Sequence, residues 1–223
     1  MNKETTNNIP DGGKFKTAKN QEQSVIYRKL DLSNVSPVLK VARKRCDLEK
    51  IWAFREQEYR LLLPDIRGFD CDPYDRFAAV LFTEDSAGNV TSTGRLVFDS
   101  PIGFPEENLV HFLIKEHRKK GRKLAEYGRV IIREDMQKGL IKHYFKSTYS
   151  VAADNGIDSI IVVSKQKDLG FYQKMVGANV LSYDVNETFG GEKPYACIEW
   201  KIPETNPRFL QWCGLARTTE QVI

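Results

Sequence analysis

The sequence predicts a mixed α/β fold with one central sheet and helices on its faces. Three observations carry that prediction. Stretches with strand-like patterning alternate with stretches whose apolar residues recur every three or four positions, in the order β-α-β-β-α-β-α-β-α-β-β. The chain has 223 residues, 41% hydrophobic and 29% charged, which is the balance of a soluble globular protein able to bury a substantial core. Its longer apolar runs, such as Phe77–Phe82 and Ile160–Val163, fall far short of a bilayer span.

The ends differ from the middle. Residues 1–24 are rich in Asn, Thr, Gly and Lys, bury almost nothing, and are expected to be a flexible arm without a secretory signal. Residues 25–215 read as a single domain and 216–223 as a fraying tail. Cys46, Cys71, Cys197 and Cys213 show no CxxC or Cys/His metal spacing, so they read as reduced thiols of a cytoplasmic protein without a metal site. The net charge of +4 is too mild to argue for nucleic acid as a partner.

Val38–Lys44 reads as a short strand. Asp47 fits an N-cap, and a helix is expected from there to about Leu63, where Pro64 stops it. Leu48, Ile51, Trp52, Tyr59, Leu62 and Leu63 form its buried stripe. Arg55 falls within that stripe, where a cation is costly unless a carboxylate pairs with it. The following loop supplies Asp70, Asp72 and Asp75. A hairpin comes next, with strands Phe77–Thr83 and Thr91–Phe98 around Ser86–Asn89. Pro105–Lys119 is expected to be helical, Lys123–Ile132 a strand, and Met136–Asn155 a helix with Lys138, Lys142, His143 and Lys146 on its polar face. Asp158–Val163 reads as a buried strand, Leu169–Met175 as a short helix, and Ala178–Val185 and Tyr195–Ile202 as the last strands.

Two features suggest chemistry. The strand leading through Arg133, Gln137 and Gly139 into a helix N-terminus has the form of a phosphate-binding turn, since unpaired N–H groups there favour an anion; an ordinary strand-to-helix turn looks the same. Arg55, Arg95 and Arg129, with Asp70, Asp72, Asp75 and Glu126, sit at apolar-flanked positions where only a mutually paired set is tolerable. That set either forms a site or pins the first helix and its loop to the sheet. Strict alternation puts Glu126 and Arg129 on opposite strand faces; a bulge near Tyr127–Gly128 would bring them together.

The piece containing Phe171, Tyr172, Lys174, Gly177 and Ala178 resembles the end of the GNAT acyltransferase fold. Phe54-Arg55, Tyr59, Asp70-x-Asp72-Pro-Tyr-Asp75, Gly94-Arg95-Leu96, Phe104 and Glu126-x-x-Arg129 resemble, in order and spacing, the acyl-homoserine lactone synthases and their relatives, the bacterial N-acyl amino acid synthases. The likeness spans roughly Ile51–Gly177. Two departures favour the amino-acid relatives: no tryptophan lies between the first helix and the acidic loop, and Asp70 stands where lactone synthases usually have Glu. The resemblance implies a GNAT-like mixed sheet with two splayed parallel strands, here Leu124–Ile132 and Asp158–Val163. It also implies transfer of a long acyl chain from acyl carrier protein to an amino acid. No permanently bound cofactor is implied. The donor would be an acyl-phosphopantetheine, on the carrier or as acyl-CoA, meeting Phe104, Val130, Ile132, Arg133, Gly139, Ser164 and Tyr172. The loop after Arg133 carries one glycine, Gly139, where the acetyl-CoA form has more.

Amine attack on a thioester needs a base, and Glu126 is the candidate. Asp72, Arg55 and Arg95, within the set containing Asp70, Asp75 and Arg129, would orient the amino acid. Lys138, Lys142 and Lys146 would dock the acidic carrier; the Lys115–Lys123 run is a less well-placed basic patch. His111, His117 and His143 read as solvated surface. A lactone synthase using S-adenosylmethionine, an acetyl-CoA-dependent N-acetyltransferase, and a non-catalytic ligand-binding module are the competing readings.

Overall fold

The computed structural model describes residues 30–62, 71–136, 139–182 and 195–215. Asp70, Lys138, Leu63, Pro64, the expected arm and the expected tail lie outside them. Among these residues seven strands make one mixed sheet: β1 (Lys40–Val41), β2 (Ala78–Glu84), β3 (Val90–Phe98), β4 (Leu124–Ile132), β5 (Ser159–Lys165), β6 (Asn179–Ser182) and β7 (Tyr195–Lys201), in the spatial order β1-β2-β3-β4-β5-β7-β6. Only the central pair, β4 and β5, is parallel. The expected α/β class with helices on both faces is what the chain adopts.

Helices α1 (Arg45–Leu62) and α2 (Glu107–Lys119) cover one face. Leu48, Ile51 and Phe54 of α1 and Val110 and Ile114 of α2 pack there with Val80, Val97, Leu124, Ile161 and Cys197. The other face is covered by α3 (Leu140–Asp154), by α4 (Leu169–Phe171) with the π-helical turn Tyr172–Val176 that continues it, and by α5 (Pro207–Cys213). Phe145, Val151, Tyr172, Val176 and Phe209 bury that side of Ala125, Tyr127, Ile160, Val162 and Trp200. Val130 and Ile132 follow different courses at the far end of β4: Val130 is exposed, and Ile132 packs beside Leu39, Leu81, Leu140 and Tyr144.

Several boundaries differ from the sequence reading. The first strand shrinks to two residues. α1 begins before Asp47, whose carboxylate instead reaches back to accept from the N–H groups of Arg43 and Lys44, both at 3.0 Å. α3 begins at Leu140 rather than Met136, because Gly139 holds a left-handed conformation (φ +80°) that ends the preceding turn. The helix α5 was not anticipated. Its signals were present: Asn206 caps it by accepting from Arg208 N–H at 2.9 Å, Pro207 opens it, and Gly214 closes it with a positive φ.

The central strands separate as expected. β4 and β5 pair from Leu124–Ser159 to Tyr127–Val162 and no further. Beyond that rung β4 stays with β3 to Ile132, while β5 stays with β7 to Lys165. A wedge therefore opens between Gly128–Ile132 and Val163–Lys165. The bulge lies slightly later than expected. Arg95 opposes Gly128 and Thr93 opposes Ile131, so Arg129 and Val130 together face Gly94. Arg129 carries the strain, with φ +55°, the only positive φ at a non-glycine among the described residues. Gly94 is required for a different reason: a Cβ there would lie 2.9 Å from the Tyr144 ring.

No helix among the described residues is long and apolar enough to cross a membrane.

Candidate active site

Buried charge is concentrated where the wedge begins, on the α1/α2 face. Arg55 enters from the middle of α1, Asp72 and Asp75 from the 3-10 turn before β2, Arg95 from β3, and Glu126 and Arg129 from β4. They link in a chain. Arg55 Nη1 donates to Asp75 Oδ2 at 2.7 Å, and Arg95 Nη1 to Asp75 Oδ1 at 2.9 Å. Arg95 Nη1 also lies 2.7 Å from Asp72 Oδ2, which Arg129 Nη2 approaches at 3.2 Å. Three guanidiniums are thus joined through two carboxylates. Asp75 is fully buried, and Arg55 and Arg95 are 1% and 2% exposed, so water does not screen these three, while Arg129 at the end of the chain is partly exposed.

Neighbours complete it. Trp52 Nε1 donates to Asp75 Oδ2 at 2.7 Å, and Arg55 Nη2 donates to Thr93 Oγ1 at 3.2 Å. The Arg129 guanidinium lies 5.5 Å from the centre of the Tyr59 ring, and that of Arg95 lies 5.9 Å from the Tyr74 ring. Burial pushes Asp72 up, yet Arg95, Arg129 and the Tyr74 N–H more than offset this and hold it below the usual carboxylate range. Burial alone would lower Arg95, but Asp75 and Asp72 raise it above the ordinary guanidinium. Both stay charged.

Glu126 behaves differently. Its side chain is 5% exposed, and its one direct partner among the described residues is the Glu106 N–H, which donates to Oε2 at 2.9 Å. Burial pushes its carboxyl up to about 8; that N–H and the guanidiniums of Arg95 and Arg129 oppose the shift, and the neighbouring Glu106 carboxylate adds to it. Burial and Glu126 also push the Cys197 thiol up to about 12, so it stays protonated beside the site. Glu126 pairs with Ile161, one rung before the wedge opens. The bulge redirects the next residues so that Arg129 reaches Asp72, on the same face.

The other predicted residues separate into groups. Val130 and Ile132 of β4 and Ser164 of β5 border the wedge, and Tyr172, whose hydroxyl burial pushes up to about 12 against a hydrogen bond with Ser164, stands beside it. Gly139 opens α3. Arg133 is engaged by Asp135, with contacts of 2.7 and 3.0 Å. Phe104 is packed in the α1/α2 core and lines an open groove of about 990 Å³ with Tyr74, Pro105, Glu107 and Asn108. Lys142 and Lys146 are half-buried rather than fully solvated. Lys142 sits 5.9 Å from the centre of the Trp212 ring on the chain beneath, because α5 covers this side of α3.

The histidines need correction too. His111 is exposed, as expected. His117 is buried with Nε2 3.3 Å from Glu199 Oε1, which also accepts from Ser159 Oγ at 2.7 Å. His143 is half-buried, with Nδ1 2.7 Å from Ser36 Oγ. Two site neighbours escaped the sequence reading. Trp52 was visible only as part of an apolar stripe, although its position one turn before Arg55 was a usable signal. Glu106 was hidden at the edge of an ordinary helix start.

The profile of the family described as N-acyl amino acid synthase FeeM matches residues 51–193, more than half of the chain. This chain belongs to the FeeM family of N-acyl amino acid synthases. It is therefore an acyltransferase. Solved structures agree on the fold. FeeM from uncultured soil microbes, an N-acyl amino acid synthase, is 16% identical, with 75% of this chain covered, 91% of that one, and a TM-score of 0.55. The acyl-homoserine lactone synthase LasI is 12% identical, with coverages of 83% and 98% and a TM-score of 0.58. The CoA-dependent lactone synthase BjaI, solved with SAM and isopentyl-CoA, is 16% identical, with coverages of 76% and 81% and a TM-score of 0.56. No curated protein sequence matches significantly. The FeeM-family match begins at Ile51 within α1 and takes in the arginine–aspartate chain, Glu126 and the wedge.

Proposed function

We propose that this FeeM-family enzyme transfers a long-chain acyl group from acyl carrier protein to the α-amine of an amino acid, with Glu126 as the general base. One observation carries the proposal: a buried carboxyl with little hydrogen bonding stands at the apex of the β4–β5 wedge, beside a fixed set of guanidiniums. Past Tyr127–Val162 neither central strand pairs with the other, so backbone groups of both are open to the amides of an extended phosphopantetheine arm. A thioester brought to the apex lies next to Glu126. The amino acid's carboxylate suits the planar donors of Arg129 and Arg95, with Asp72 and Asp75 holding those donors in place.

The reaction then balances simply. Glu126 takes a proton from the ammonium, the freed nitrogen attacks the thioester carbonyl, and the carbon–sulfur bond breaks as the amide forms. The nitrogen sheds its second proton as the amide forms, and the departing thiolate takes it up. Once ionised, a carboxyl near 8 is a far stronger acceptor than an ordinary glutamate, so transfer grows as the pH rises toward 8 and the ionised form fills. Lys138, Lys142 and Lys146 are proposed to face the acidic carrier near the wedge mouth. The same reading makes this a cytoplasmic enzyme.

The test supplies purified protein with palmitoyl acyl carrier protein, palmitoyl-CoA, the twenty common amino acids and S-adenosylmethionine, and identifies products by mass spectrometry. An N-palmitoyl amino acid made faster from the carrier than from CoA is the expected result. A homoserine lactone made from S-adenosylmethionine, or transfer confined to acetyl-CoA, overturns it.

A further inference from the structure

We infer that Glu106 is a specificity-determining residue that holds the acceptor's ammonium group beside Glu126. The inference rests on the reading of this enzyme as an amino acid acyltransferase and names a group to which no role has been assigned.

Glu106 sits at the start of α2, in the connection from β3. Its backbone N–H is already committed to Glu126 Oε2 at 2.9 Å, which fixes its Cα within a few bonds of the proposed base. Its own carboxylate is half-buried and meets no hydrogen-bond or ion-pair partner among the described residues. The groups facing it come from every side of the site: Glu126 and Arg129 on β4, Arg95 on β3, Asp72 and the Tyr74 hydroxyl on the turn, and the Cys197 thiol on β7. Pro105 and Glu107 on either side of it line the open groove, so this stretch of chain is reachable from solvent.

Charge arithmetic explains what such a group is for. Among the described residues, Arg55, Arg95 and Arg129 carry three positive charges, and Asp72 and Asp75 carry two negative ones. A zwitterionic amino acid brings a carboxylate that suits guanidinium donors and an ammonium that they repel. Two carboxyls, Glu126 and Glu106, stand on the side where that ammonium would lie. Glu126, buried and pushed to about 8, is the one that accepts the proton. Glu106 is less buried; burial raises its carboxyl, Arg129 and Arg95 oppose that, and an ammonium beside it draws it into the charged form before the proton moves. A half-buried carboxylate without a partner is costly in the empty enzyme, and an arriving ammonium relieves that cost.

The experiment compares the wild-type enzyme with Glu106→Gln and Glu106→Asp. It uses palmitoyl acyl carrier protein, the amino acid acylated fastest, and that amino acid's 2-hydroxy analogue as a competitive inhibitor. The analogue keeps the carboxylate and lacks the ammonium. Glu106→Gln is expected to raise the KM for the amino acid at least 10-fold, with the KM for the carrier and the inhibition constant of the hydroxy acid unchanged. Glu106→Asp is expected to recover part of the loss. Titration calorimetry in a Glu126→Gln background, where turnover does not interfere, should show the same weakening of amino acid binding by Glu106→Gln. An unchanged KM with an unchanged melting temperature overturns the inference and leaves Glu106 as a backbone donor only. Equal weakening of the amino acid and the hydroxy acid also overturns it, since that marks a change of site shape. If the wild-type enzyme acylates no amino acid, the reading beneath the inference is what fails.

Discussion

The two faces of the sheet are built on opposite principles. On the α3/α4/α5 face, Phe145, Trp200, Phe209 and Tyr149 meet one another at ring-centre distances of 5.1 to 6.3 Å, and apolar burial does nearly all the work. On the α1/α2 face the apolar core is interrupted by three arginines and their carboxylates. Such a set does not stabilise a fold better than hydrocarbon of the same volume, because desolvation offsets most of the Coulomb attraction. One face holds the sheet together and the other holds reactive groups in place. β4 belongs to both, with Ala125 and Tyr127 in the aromatic core and Glu126 between them facing the charges.

Breaking the aromatic face should therefore cost stability first. Trp200 is fully buried, and its indole N–H donates to Thr205 Oγ1 at 2.8 Å. Trp200→Ala is expected to destabilise by about 3–5 kcal/mol in denaturant titration, with surviving folded protein keeping its KM for amino acid. Breaking the charged face should cost both. Arg55→Ala removes one of two cations from the fully buried Asp75, and a loss of about 3 kcal/mol is expected, together with loss of activity in protein that still folds. An Arg55→Ala variant that melts like the parent would show that the charged chain is not held as tightly as its geometry implies.

Glu126→Gln separates the two properties cleanly. The amide keeps the shape and the acceptor for the Glu106 N–H, and removes the basicity. Turnover is expected to fall about 100-fold or more in a steady-state assay, with the melting temperature no lower than the parent's. Turnover preserved across the pH range would return Glu126 to a structural role beside Arg129.

The two faces were also unequally legible in the sequence. The aromatic face followed from periodicity: Tyr144, Phe145, Val151 and Ala152 repeat at helical spacing, and the strand runs are continuous. Its gap was α5, seven residues too few for a periodic signal, whose Asn-Pro start and Gly end were the readable cues. On the charged face, Arg55 inside an apolar stripe announced that carboxylates had to pair with it, and Asp75 does. Which aspartate meets which arginine was not readable, because it depends on the turn before β2 and on a bulge. The bulge itself was inferred from the need to put Glu126 and Arg129 on one side, yet Gly128 pointed to the wrong residue. A Cβ at Gly128 would meet nothing within 4 Å, and the positive φ is borne by Arg129. Glu106 and His117 were missed for one reason: both acquire meaning only through partners on distant strands, Glu126 and Glu199.

The pH dependence of stability sharpens the contrast further. Glu126 has a folded-state pKa of about 8, raised from the ordinary 4.5. Between those values the folded protein keeps a proton that the unfolded chain releases. The contribution is fully present below pH 4.5 and is lost as the pH rises through 8. Stability of the wild-type protein should thus fall between pH 5 and pH 8 relative to Glu126→Gln, by at least about 1 kcal/mol, read as the difference between the two melting curves. Groups common to both proteins and remote from Glu126 cancel in that difference. Parallel curves would mean that water reaches Glu126 and that its carboxyl titrates as an exposed one.

The smallest effect is expected at the edge of the aromatic face. Lys142 and Lys146 are half-buried, and the Lys142 ammonium lies over the Trp212 ring of α5, so Lys142 has a structural contact as well as a proposed partner. Rim charges act mainly on encounter with an oppositely charged protein, and that attraction fades with salt. Charge reversal at both lysines is expected to raise the KM for acyl carrier protein several-fold at low ionic strength, with little change at high salt and none in the KM for amino acid. Neutral Gln at both positions should give a smaller shift in the same direction, and a loss of about 0.5–1 kcal/mol in stability from the lost ring contact. Palmitoyl-CoA, which carries no acidic protein, serves as the internal control. If reversal slows carrier and CoA donors equally, the lysines act by packing α5 against α3, and the carrier must be met elsewhere around the wedge mouth.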